Sequence, residues 1–133
     1  TTTRGMLFTV LHRMSGKVST VQSKPWYTDA VSWVMTEGIS DGTAPERDLS
    51  RQEMATLFYR YAQATGCNIT PADLALTFVD GQEIDAYATE AIRYCVSRGF
   101  MQGKDGNRFD PHGMTKRVEL SAVLHRFLER PAK

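Results

Sequence analysis

Residues 4–14 read RGMLFTVLHRM, residues 51–61 read RQEMATLFYRY, and residues 117–127 read RVELSAVLHRF. With Arg4, Arg51 and Arg117 in register, Leu7, Val10, Leu11 and Met14 fall over Met54, Leu57, Phe58 and Tyr61. These fall over Leu120, Val123, Leu124 and Phe127. Each set is spaced i, i+3, i+4, i+7, one apolar stripe of an amphipathic helix. Arg13, Arg60 and Arg126 also coincide, as do His12, Tyr59 and His125. The spacing predicts helices over 3–15, 50–65 and 116–129.

A second block precedes the last two copies. AVSWVMTEGISDG (30–42) lies over AIRYCVSRGFMQG (91–103) at a shift of 61 residues. Trp33 meets Tyr94, Gly38 meets Gly99, Gly42 meets Gly103, and Trp26 meets Tyr87. Each copy reads as a helix stopped by a glycine, with a turn and a second glycine after it. Shorter helices are expected over 27–37 and 86–98. The stretch GNRFDPHG (106–113) holds too many breakers for a helix and reads as a loop.

The unit is therefore helix, glycine-punctuated loop, helix. The chain holds two nearly whole copies and the second helix of an earlier one. Units of this period cannot bury their apolar faces alone. The expected architecture is all-α: three related helices around a pseudo-threefold axis, sharing one central bundle. The expected parts are 1–16, the second helix of a truncated first repeat; 17–66, a second repeat; and 67–133, a third. Ser50 with Glu53 forms a capping box at the second of these helices. In the last copy Thr115 stands four residues before Glu119, and Lys116 takes the place of Ser50.

Composition narrows the function. The 133 residues carry 16 basic and 15 acidic side chains, a net charge of +1. No global field gathers a polyanion, which argues against nucleic acid. Apolar runs such as MLFTVL are far too short to cross a bilayer. Thr1 stands in the middle of the pattern, as in a processed or excised piece, so missing targeting signals carry little weight. Cys67 and Cys95 are too few for a disulfide-built domain; a buried thiol at Cys95 is favoured over a Cys67–Cys95 bridge. His12, His112 and His125 have no metal-ligand spacing. KDGNRFD (104–110) lacks the acidic ligands of a calcium loop and reads as a turn. No phosphate loop, nucleophile elbow or HExxH sequence is present. A non-enzymatic chain without cofactor is expected.

The ordered set of motifs resembles S-layer homology repeats. FVD (78–80) resembles their Phe-x-Asp start. WYTDAVSWVMTEGISDG (26–42) and YATEAIRYCVSRGFMQG (87–103) resemble their first helix and its turn. DGNRFDP (105–111) resembles their loop, and SRQE (50–53) and KRVE (116–119) their Thr-Arg-Ala-Glu helix start, with TRGM (3–6) standing for an earlier copy. Departures are visible. The middle copy has no Phe-x-Asp. Eight residues (43–50) separate Gly42 from Arg51, against thirteen (104–116) between Gly103 and Arg117. Met6 stands where the pattern has Glu.

The resemblance implies an extracellular module at the bacterial cell wall that binds secondary wall polysaccharide, often pyruvylated, or peptidoglycan without covalent bonds. The residue types suit that task. Arginine supplies a bidentate fork for a carboxylate, helix starts add partial positive charge, and aromatic rings offer a flat face with a polar edge. Arg4, Arg51 and Arg117 are the anion candidates. Gly38, Gly42, Gly99 and Gly103 would shape the groove, and Asp80, Trp26 and Tyr87 its rim. Each has a plainer use. The arginines pair with glutamates such as Glu53 or Glu119, the glycines cap helices, and Asp80 fixes a turn. Trp33 and Tyr94 belong to the core, and Arg13, Arg60 and Arg126 serve as structural pairs or snorkelled stems. The alternative function is protein–protein contact or homo-oligomerisation, the incomplete first repeat being completed by another chain.

Overall fold

A computed structural model describes residues 2–16, 28–67 and 77–129. The elements run α1 (Arg4–Met14), α2 (Thr28–Thr36), α3 (Arg51–Ala64), two 3-10 turns (Gly81–Glu83 and Ala86–Ala88), α4 (Thr89–Ser97) and α5 (Arg117–Leu128). The all-α expectation is borne out: no named strand is present among the described residues, only isolated bridges such as Thr3↔Asp48 and Ser50↔Met114. The helices agree with the expected spans to within a residue at nearly every end. The exception is the start of α4, where Ala86–Ala88 form a 3-10 turn before the helix proper.

The predicted stripes supply much of the core, with Val10, Met14 and Leu124 half-buried against it. Leu7, Leu11, Met54, Leu57, Phe58, Tyr61, Leu120, Val123 and Phe127 are buried, in one cluster that draws residues from all five helices. Tyr94 is fully buried, while Trp33 is half-buried, 5.3 Å from the His12 ring and 6.2 Å from Tyr61. Cys67 and Cys95 are not joined; Cys95 is buried, its thiol 3.7 Å from the Ala55 carbonyl, and burial pushes its pKa up.

The helix starts differ in their caps. Ser50 and Glu53 form the expected box: the Ser50 hydroxyl accepts from Glu53 N–H at 3.2 Å, and Glu53 Oε1 accepts from Ser50 N–H at 3.0 Å. At α1, Thr3 caps Met6 N–H, and the Met6 sulfur accepts from Thr3 N–H at 3.4 Å. At α5 Lys116 is the cap residue. Its ammonium cannot accept, so half a box remains, from Lys116 N–H to Glu119 Oε1 at 3.2 Å.

The residues two before each helix-start arginine are Thr2, Leu49 and Thr115. They close a ring of backbone hydrogen bonds: Thr2 N–H to the Thr115 carbonyl (3.0 Å), Thr115 N–H to that of Leu49 (2.7 Å), and Leu49 N–H to that of Thr2 (2.8 Å). All three residues are buried. The loop entering each copy also covers the preceding helix start. Arg47 and Pro45 carbonyls accept from Arg4 and Gly5 N–H, and Gly113 and Pro111 carbonyls accept from Arg51 and Gln52 N–H.

Cover is unequal. α1 packs on α2 and α3 on α4, but α5 has no such helix against it among the described residues. Gly5 and Gln52 are buried, whereas their counterpart Val118 is 72% exposed.

Candidate functional site

Arginines and glutamates of successive copies meet across the repeat boundary. Arg4 is buried; its Nη1 donates to Glu53 Oε2 at 2.5 Å, its Nε to the Thr43 carbonyl at 3.0 Å, and its Nη2 to Ser40 Oγ at 3.4 Å. Arg51 is also buried; its Nη1 donates to Glu119 Oε2 at 2.5 Å, its Nε to the Phe109 carbonyl at 2.7 Å, and its Nη2 to the Gln102 carbonyl at 2.8 Å. Each guanidinium thus ties a helix start to the glycine-turn loop and the helix of the next copy. Arg117 is exposed and makes no ion pair with a described residue. Met6, in the position of Glu53 and Glu119, has no charge to offer.

Beside each buried pair lies a groove. The first holds about 310 Å³ and is lined by Arg4, Glu53, Leu57 and Arg60, by Ser40, Asp41, Thr43 and Thr56, and by Arg47 and Tyr87. The second holds about 120 Å³. Its Arg51, Glu119, Val123 and Arg126 stand in register with Arg4, Glu53, Leu57 and Arg60. Its Met101, Gln102 and Ala122 replace Ser40, Asp41 and Thr56. Tyr87, brought in from the third copy, lines the first groove only.

The first groove is polar and charged. Glu53 holds Arg4 and also accepts from Arg47 Nη2 at 2.6 Å. The Asp41 carboxylate accepts from the backbone N–H and hydroxyl of Thr43, which with the nearby Arg4 and Arg60 hold it below the usual carboxylate range. Partial burial, then the charges of Glu53 and Asp85, raise the Tyr87 phenol, so it stays neutral and presents a ring that is 52% exposed.

The remaining sequence candidates lie elsewhere. Gly38 and Gly99 end α2 and α4 with positive φ and are exposed. Gly42 carries φ of +73° and is packed so closely that a Cβ would stand 2.7 Å from Met35 Cγ; it sets the turn that presents Ser40, Asp41 and Thr43. Gly103 lies under the Phe78 ring. Trp26 falls outside the described residues. The helix-start N–H groups of α1 and α3, expected to face an anion, are filled by the loop carbonyls of the next copy. Arg47, Ser40 and Asp41 were not singled out from sequence, and Arg60 was expected there only as a structural pair or snorkelled stem, whereas it lines the first groove. The register of Arg13, Arg60 and Arg126 was the available signal, but it does not tell which of them lines a groove.

Asp80 is buried and its carboxylate accepts from Phe109 N–H at 2.9 Å and Asp110 N–H at 2.8 Å. Burial opposes its charge, yet these donors hold its pKa below the ordinary 3.8. A depressed carboxylate stabilises the fold above its unfolded-state pKa, and that contribution is lost as pH falls through the folded value. Asp80→Asn is expected to cost about 1–3 kcal/mol at neutral pH. Unfolding free energies measured against pH should show the gap to wild type closing below the ordinary carboxylate value. Curves that stay parallel into acid would refute this role.

Among the described residues, no group of three or more His, Cys, Asp or Glu side chains could hold a metal, and no helix is long and apolar enough to cross a membrane. The Asp80-anchored loop, α4 and the α5 start all fall in one stretch. Residues 77–120 match the S-layer homology domain. The resemblance read from FVD, YATEAIRYCVSRGFMQG, DGNRFDP and KRVE is borne out there. An amylopullulanase of Thermoanaerobacterium thermosulfurigenes is 28% identical over 120 residues, covering 87% of this chain and 6% of that protein. Exoglucanase XynX of Acetivibrio thermocellus is 25% identical over 120 residues, covering 87% of this chain and 11% of that protein. A cellulosome-anchoring protein of Acetivibrio thermocellus is 28% identical over 126 residues, covering 87% of this chain and 28% of that protein. The chain thus spans between 6% and 28% of the length of these relatives.

Proposed function

We propose that this chain is a non-catalytic module that holds a larger surface protein to the bacterial cell wall, outside the cell, by non-covalent binding of an acidic secondary wall polysaccharide or of peptidoglycan. One observation carries the reading. The segment matched to the S-layer homology domain belongs to a stretch shared with proteins named for different activities, an amylopullulanase and an exoglucanase, and with one named for anchoring. What they share is then an attachment, not a reaction. The first groove supports it: arginines, hydroxyls and an exposed tyrosine ring suit a sugar bearing a carboxylate.

The units 1–16, 17–66 and 67–133 are read as repeats about a pseudo-threefold axis, and the Thr2–Leu49–Thr115 hydrogen-bond ring supports that reading. Of the helix-start arginines, Arg4 and Arg51 brace the groove walls, while Arg117 faces solvent. Sedimentation of the chain with purified sacculi, before and after extraction of their secondary polymer, tests the proposal. Co-sedimentation that is lost on extraction supports the polysaccharide, and co-sedimentation that survives supports peptidoglycan. A chain that stays in the supernatant with both preparations overturns wall binding.

The flank of α5 that no described helix covers favours a second reading, contact with another copy of this chain. Val118 and Leu128 are 72% and 57% exposed there. Sedimentation equilibrium of wild type and Val118→Asp tests it: a wild-type dimer broken by the variant supports the contact, and a wild-type monomer across the micromolar range overturns it.

A further inference from the structure

We propose that the acid group of the wall polymer is read by Arg60 in the first groove, which Tyr87 also lines, and that the second groove takes no ligand. This rests on the wall-binding reading above and names the residue and the groove within it.

The helix-start arginine Arg4 has little left to give. It is buried, and all three guanidinium nitrogens already donate, to Glu53, Thr43 and Ser40. Swapping Glu53 for a ligand carboxylate would take from Glu53, which is only 11% exposed, its buried partner and leave it the exposed Arg47. That costs more than the new pair returns. Arg60 lines the same groove one helical turn beyond Thr56 on α3, is half-buried, and makes no hydrogen bond or ion pair with a described residue. Its five N–H donors are available as a fork that fits a carboxylate bidentately. Tyr87 lines the same groove and gives the sugar an apolar face, and Ser40 and Thr43 line it as well.

The second groove is the internal control. Its equivalent of Arg60 is Arg126, whose Nη1 already donates to the Phe100 carbonyl at 3.3 Å. Two polar lining positions are replaced by Met101 and Ala122, no aromatic ring lines it, and its volume is about 120 Å³ against about 310 Å³. Each groove is lined by one more arginine than carboxylate, so bulk charge does not separate them. Room and free donors do. Asp41 is the one groove-side carboxylate not held by a buried arginine at hydrogen-bond distance. Its carboxylate is turned to the Thr43 N–H and hydroxyl, and at 72% side-chain exposure water screens it from an incoming acid.

The test is calorimetric titration of the chain with secondary polysaccharide released from sacculi, native and after chemical reduction of its carboxyl groups to alcohols. Wild type is expected to bind the native polymer on the order of 10- to 100-fold more tightly than the reduced one. Arg60→Ala should lose the same factor on the native polymer and nothing further on the reduced one, while Arg126→Ala should match wild type on both. Circular dichroism before titration confirms that each variant is folded. Equal losses from Arg60→Ala and Arg126→Ala, or no loss from Arg60→Ala, would overturn the assignment while leaving wall binding intact. Wild type that binds both polymers equally would overturn acid reading alone. Wild type that binds neither polymer nor sacculi would remove the wall-binding reading itself, and the assignment with it.

Discussion

Arg51→Ala is expected to lower the free energy of unfolding by about 3 kcal/mol, toward the lower end of what breaking a buried ion pair costs. The side chain is 5% exposed and its guanidinium lies 4.8 Å from the centre of the Phe109 ring. Truncation would orphan three acceptors at once: the Phe109 carbonyl, the Gln102 carbonyl and the Glu119 carboxylate. Glu119 is 22% exposed at its side chain, so water recovers part of the loss there, which is why the lower end is expected. The two carbonyls sit in the loop of the third copy, so that loop should loosen with the helix start. Arg51→Lys should recover less than half, because one ammonium cannot span three acceptors held in a planar fork. Urea unfolding of the three proteins measures this. A loss under about 1 kcal/mol would class the pair with ordinary surface ion pairs.

Phe127→Ala is expected to cost about 3–5 kcal/mol. Its ring is fully buried, with centroids 4.9 Å from Phe58, 5.9 Å from Tyr61 and 5.3 Å from Phe100. Those neighbours belong to α3 and to the turn after α4, so one side chain joins the last helix to both. α5 has no covering helix among the described residues, and Leu120, Val123 and Phe127 are its buried apolar anchors. The loss should therefore fall unevenly. Amide hydrogen exchange in α5 should quicken more than in α1, whose anchors Leu7, Phe8 and Leu11 are untouched. Phe127→Leu, which keeps most of the apolar volume, should cost much less. Uniform acceleration in both helices would mean that α5 does not open separately from the rest.

The helices and their buried stripes were legible because the 3.6-residue period is written three times over, at Leu7, Met54 and Leu120 and onward. The Ser50–Glu53 cap was legible for the same local reason. What the sequence could not tell is which arginine meets which glutamate. Glu53 stands two residues after Arg51, but it binds Arg4, 49 residues away, while Arg51 reaches Glu119, 68 residues away. Such pairs depend on how the copies stack. Met6 was visible as a departure, but not its counterpart, an exposed Arg117 with no acid among the described residues. Arg60 and Arg126 occupy one register yet differ in use, because the loops beside them differ: Ser40 and Asp41 in one, Met101 and Gln102 in the other. The helix-start N–H groups looked open to an anion in sequence. The carbonyls of Pro45, Arg47, Pro111 and Gly113 fill them, and proline-bearing loops give no sequence sign of where their carbonyls point.

Arginine Nε–Hε and backbone amide resonances, followed by NMR while purified secondary polysaccharide is added to the chain, bear most directly on wall binding through the first groove. The account predicts that Arg60 shifts and saturates, with Thr43 and Tyr87 moving alongside, while Arg51 and Arg126 stay in place. Matching shifts at Arg60 and Arg126, or shifts confined to Arg117, would contradict it.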